Sequence, residues 1–139
     1  MNRAELQRLA NERIADAKAL LAARRWSAAY YLAGYAVECG LKACVLAYVE
    51  RTGVIFEDRK YAEKCWTHNL EELLRLAGLQ LVFDADAAAD VELSRKWDIV
   101  KDWTESSRYR RTPKGKAEQL YGAITDRPHG VLPWIKRHW

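Results

Sequence analysis

The sequence predicts an all-α protein, an antiparallel four-helix bundle with one extra short helix. Three observations lead there. Only three prolines and seven glycines punctuate 139 residues, too few turn residues for an all-β chain. Half of the residues are apolar and 30% are charged, so the chain can bury a core and is not disordered. The apolar residues recur at steps of three and four, the period of a helix face. The length fits one domain, residues 1–139.

The first helix runs from Arg3 to about Ala23. Leu6, Ala10, Ile14, Ala17 and Leu21 mark its apolar face, with Arg8, Glu12 and Asp16 opposite. Arg24 and Arg25 place positive charge at its negative dipole end. The second helix runs from an N-cap at Ser27 to Arg51, with Gly53 just past its end. It is apolar nearly all round, which predicts a central helix surrounded by others. Gly34 and Gly40 inside it each cost about 1 kcal/mol against Ala. Close approach of a neighbour is the simplest offset.

Residues 52–68 read as a connection with a short helical turn near Asp58–Lys64. A third, short helix spans Asn69–Ala77, with Leu70, Leu73, Leu74 and Ala77 inward. Asn69 and Glu72 read as a capping box and Gly78 as the stop. Leu79–Phe83 alternates like a strand but has no partner, so it reads as an extended linker. A fourth helix is expected from Asp84 to Ser106, with Ala89, Leu93, Trp97, Val100 and Trp103 or Thr104 on its face. Thr112 as N-cap and Pro113 at the first position start another helix, with Ala117, Leu120, Tyr121 and Ile124 buried. Asp126–Gly130 breaks it, and Val131–Trp139 forms an aromatic, basic tail helix.

Charge is unevenly spread. Residues 1–94 hold 12 basic and 14 acidic groups, and residues 95–139 hold 11 and 5. The net +4 therefore hides a C-terminal third at +6. Cys39, Cys44 and Cys65 are odd in number and lack CxxC spacing, which argues against a disulfide framework or a thiolate metal site. The residues Met1–Glu5 do not read as a signal peptide. Glu38 and Lys42 interrupt the apolar run Trp26–Val49, so no charge-free run approaches the roughly 18 residues of a membrane span. The expectation is a soluble, cytoplasmic chain without a membrane partner.

His68, His129 and His138 are far apart and belong to no metal-binding motif. There is no Walker loop, no dinucleotide-binding glycine motif and no nucleophile elbow. No metal or cofactor is expected. Three constellations bear on function. Tyr31, Tyr35, Glu38 and Lys42 share one face of the central helix, with Glu38 four residues before Lys42. They read either as a salt bridge with locally bonded tyrosines or as the floor of a binding groove. Arg108, Tyr109, Arg110, Arg111, Lys114 and Lys116 fall within nine residues that contain no acid. They read as a solvated loop or as a grip on phosphates with a ring for base stacking. His68 either packs at the start of the short helix or serves a site. Trp134 and Trp139 are core residues or interface anchors.

The run Ala28–Ala43, reading Ala-Ala-Tyr-Tyr-Leu-Ala-Gly-Tyr-Ala-Val-Glu-Cys-Gly-Leu-Lys-Ala, resembles the central helix of the HEPN (higher eukaryotes and prokaryotes nucleotide-binding) family. His68-Asn69-Leu70, Glu105–Arg110 and Gly130–Lys136 are similar to the family as well. The resemblance implies an all-α bundle, a homodimer, and association with RNA or nucleotide. It also implies a minimal nucleotidyltransferase partner of the toxin–antitoxin kind. Nuclease members carry Arg, four to six residues, then His. Here the matching positions before His68 are Tyr61, Ala62 and Glu63; before His129, Gly122, Ala123 and Ile124; before His138, Val131, Leu132 and Pro133. None is Arg, so no catalytic residue is carried over. The expectation is a non-catalytic nucleotide- or RNA-binding module using the residues of the first two constellations and His68. The alternatives are a divergent, metal-independent ribonuclease built on His68 with Arg108 or Arg110, and a purely structural dimerisation protein.

Overall fold

The computed structural model describes residues 1–139 and contains helices and turns but no strand. The α-helices are α1 (Arg3–Ala22), α2 (Trp26–Thr52), α3 (Tyr61–Lys64), α4 (Leu70–Leu76), α5 (Gln80–Ala89), α6 (Val91–Val100), α7 (Lys114–Thr125) and α8 (Val131–Lys136). Short 3-10 turns cover Val54–Phe56 and Glu105–Tyr109.

A complete capping box starts α1. The Asn2 side chain accepts from the Glu5 N–H, and the Glu5 carboxylate accepts from the Asn2 N–H. Leu6, Ala10 and Ala17 are buried against α2. Arg3 and Glu50 pair at 3.2 Å, so α1 and α2 run antiparallel. The turn between them is a Schellman motif: Arg25 N–H donates to Leu20 O and Arg24 N–H to Leu21 O.

Helix α2 packs on α1, α4, α7, α8 and the Glu105–Tyr109 turn. It is long and apolar enough to cross a membrane, yet 61% of its most apolar window is buried inside the protein. Both interior glycines meet a neighbour. A Cβ on Gly34 would sit 2.2 Å from Trp103 Nε1, and one on Gly40 3.0 Å from Ile135 Cγ2. Ser27 does not cap this helix. The helix begins one residue earlier, and the Ser27 hydroxyl instead accepts the Thr112 N–H at 2.9 Å.

Two expectations fail between residues 79 and 106. Leu79–Phe83 is not an extended linker, because α5 begins at Gln80. Its apparent alternation has another cause: Phe83 is buried against Trp97 and Trp134, whereas Leu81 is 84% exposed. Nor is residues 84–106 one helix. Asp90 has extended backbone, and its carboxylate accepts the Glu92 and Leu93 N–H groups, ending α5 and capping α6. His129 Nδ1 anchors the break at 2.8 Å and is the main cause holding the Asp90 carboxyl below its usual range. Ala89 is consequently exposed, while Leu93, Trp97, Val100 and Trp103 enter the core.

Smaller shifts occur at caps. Asn69 accepts the Glu72 N–H as expected, but the Glu72 carboxylate accepts from the Thr67 hydroxyl at 2.6 Å rather than closing a box. Helix α7 starts at Lys114 with Pro113 at its cap, one residue late, because Thr112 is buried against Ser27. In the tail, Trp134 is a core residue: it is 1% exposed and its Nε1 donates to Asp86. His138 packs on that indole, and burial pushes its pKa down.

Candidate functional site

The polar stripe on α2 is a built cluster. Glu38 is 2% exposed, and its Oε1 accepts from Lys42 Nζ at 2.8 Å and His68 Nδ1 at 2.9 Å. A carboxylate this deep is tolerable because both partners are cationic or proton-bearing. The loop before α4 holds His68 in place. Thr67 Oγ1 accepts the Asn69 N–H, and Asn69 caps the helix that follows. A charged carboxylate only accepts, so His68 donates from Nδ1, and in the tautomer with its one proton there Nε2 is an acceptor. The His68 side chain is 50% exposed.

The tyrosines extend this face. The Tyr31 and Tyr35 rings lie 6.1 Å apart and within 3° of parallel, and Tyr31 also stacks on Trp103 at 6.0 Å. Burial is the main cause raising the Tyr35 hydroxyl to about 12 and the Cys39 thiol to about 11. Cys39 is therefore no nucleophile at neutral pH.

Two recesses flank the Glu38–His68 pair. One is polar, about 460 Å³, lined by Thr67, His68 and Asn69 from the loop before α4 and by Lys101, Glu105, Ser106 and Arg110 from the chain after α6. Trp103 and Gly34 explain why the walls meet here, since the indole locks the residues after α6 onto α2. Asp98 pushes the Lys101 pKa up, and Arg110 makes no ion pair. The other recess is apolar, about 390 Å³, lined by Tyr35, Cys39, Leu46 and Trp66 with Glu38 and Lys42 on its wall. The Trp66 side chain is mostly in solvent.

The basic segment fans out instead of converging. Arg110 lines the polar recess with His68. Arg108 lies 4.8 Å over the Tyr109 ring, and hydrogen bonding to Tyr109, then Tyr31, raises its pKa. Arg111 faces a separate groove beside Arg24 and Arg25. Lys114 sits over Trp26 and pairs with Glu118, and Lys116 sits over Tyr30. Of the candidate residues, then, Tyr31, Tyr35, Glu38, Lys42, His68, Arg108, Tyr109 and Arg110 share one region. Arg111, Lys114 and Lys116 lie elsewhere. Arg110 lines the polar recess with His68, and Arg108 does not. Sequence reasoning missed Lys101, Ser106 and Trp103 as groove residues. The one available signal was Gly34, whose small size demanded a bulky neighbour.

No three His, Cys, Asp or Glu side chains group as a metal site would require. Comparison with protein-family models, curated proteins and solved structures finds no match.

Proposed function

We propose that this chain is an HEPN-like binding module for nucleotide or RNA, acting as a cytoplasmic homodimer beside a minimal nucleotidyltransferase partner. One observation carries the binding reading. His68, braced by buried Glu38, and Arg110, free of any ion pair, line the same polar groove. An unpaired guanidinium grips phosphate oxygens in a two-pronged fork. Lys101 and the Ser106 hydroxyl add donors on the same wall. Tyr109 is 78% exposed beside Arg108, a flat surface on which a base can stack. The dimer and the partner rest on the resemblance of Ala28–Ala43 to the HEPN central helix.

A second reading, a metal-independent ribonuclease, draws support from the orientation of His68. Its Nδ1 is committed to Glu38, so Nε2 is free to take the proton of a ribose 2′-hydroxyl. Arg110 across the groove would offset the charge that develops on phosphorus oxygens. Incubating the protein with end-labelled RNA in EDTA, read by filter binding and by gel, separates the two. RNA bound and left at full length is the expected result. Shortening that disappears in His68→Ala would establish the nuclease instead. RNA neither bound nor shortened contradicts both.

A further inference from the structure

The turn between α1 and α2 gathers charge that the groove at His68 does not use. Arg24, Arg25 and Arg111 line a groove of about 590 Å³ that contains no acidic residue. None of the three makes an ion pair, although many other charged side chains on the surface do. Three like charges gathered without a counter-charge repel one another, and an anion that enters the groove relieves that repulsion. The backbone that carries the cluster is held in place. The Ser27 hydroxyl accepts the Thr112 N–H, which docks the Arg111 segment onto the start of α2.

Two further facts agree. The N–H groups of Trp26, Ser27 and Ala28 find no acceptor in the protein, and Arg25 supplies no side-chain cap. Arg24 occupies the left-handed position of the Schellman motif, φ 61, where glycine is the usual residue. Its side chain makes no hydrogen bond or ion pair within the protein that would favour Arg over Gly there.

The backbone at Arg110 is extended, with φ −118 and ψ 151. Side chains of consecutive residues on extended backbone point to opposite sides. That is why Arg110 lines the His68 groove and Arg111 the Arg24–Arg25 groove. The two grooves lie on either side of one strand of chain.

Resting on the RNA reading above, we propose that Arg24, Arg25 and Arg111 form a second phosphate-binding subsite. The ligand is then a single RNA strand several nucleotides long that crosses the Arg110–Arg111 backbone and places phosphates in both grooves. A mononucleotide would fill only one.

The test compares fluorescent oligouridylates of two and ten nucleotides by anisotropy, for wild type, Arg24→Gly/Arg25→Ala/Arg111→Ala, and Arg110→Ala. Arg24→Gly alone is the folding control, because glycine suits that backbone and the melting temperature should hold or rise. The triple variant should bind the decamer more weakly. Its slope of log Kobs against log salt should be shallower by about 0.7 per arginine removed. Binding of the dinucleotide, which spans only one groove, should fall less than binding of the decamer, and Arg24→Gly should reproduce part of the decamer effect. Unchanged decamer binding in the triple variant, with weakening in Arg110→Ala, overturns the second subsite and leaves the RNA reading standing. No binding by wild type at either length overturns both.

Discussion

Gly34→Ala should lower the melting temperature by about 10 °C, although alanine is the better helix former. In an open helix interior the exchange gains up to about 1 kcal/mol. Here the new Cβ would lie 2.2–2.3 Å from three atoms of the Trp103 indole. That ring is 1% exposed and stacks on Tyr31, so it has no free direction in which to retreat. Overpacking of this kind costs about 1–3 kcal/mol and occasionally more. A net loss near 3 kcal/mol corresponds to roughly the stated temperature shift for a domain of this size. Gly122→Ala supplies the matched comparison, since nothing lies within 4 Å of a Cβ there. It should stabilise slightly. Thermal melts of both variants check the contrast. Equal gains in the two would show that Trp103 does not press on Gly34. The double variant Gly34→Ala/Trp103→Leu should recover part of the loss, a non-additivity that only contacting residues show.

Glu38→Ala should destabilise by about 3 kcal/mol, at the lower end of what removing one partner of a buried charge pair costs. The value is not larger because Lys42 and His68 keep access to solvent, with side chains 25% and 50% exposed. Glu38→Gln should cost less, since Oε1 still accepts from both neighbours. The functional consequence is separate. Without the carboxylate, His68 loses the bond that orients its ring, and RNA affinity should fall in Glu38→Ala about as far as in His68→Ala. Combining the two should add little. Urea unfolding and anisotropy on the single and double variants test both halves. Fully additive losses in affinity would show that Glu38 does not act through His68.

Much of this architecture could be read from residue spacing. The faces of α1, α4, α6 and α7 follow from three- and four-residue steps, and the central place of α2 from its being apolar nearly all round. The Glu38–Lys42 pair follows from helical spacing alone. The misreadings have local causes. Asp90 looks like one more acid near a helix start until His129, 39 residues away, fixes it as a cap. Leu81 and Val82 imitate a strand because apolar residues on a helix surface are indistinguishable in sequence from buried ones. The site was half legible. His68 and Arg110 are 42 positions apart, and contacts distant in sequence, the seating of Trp103 on Gly34 among them, bring their loops to one groove. The basic segment looked like a single patch because linear charge density does not show direction. Its extended backbone sends Arg110 and Arg111 opposite ways.

The proposed seating of RNA phosphates in the groove lined by His68 and Arg110 is tested most directly by the salt dependence of oligoribonucleotide binding in wild type and in His68→Ala/Arg110→Ala, with melts to confirm that the variant is folded. Wild type should bind more weakly as salt rises. The double variant should lose about tenfold or more in affinity, and its slope should be shallower by about 0.7 for the lost guanidinium contact. A folded double variant with wild-type affinity and an unchanged slope would show that RNA does not bind in this groove.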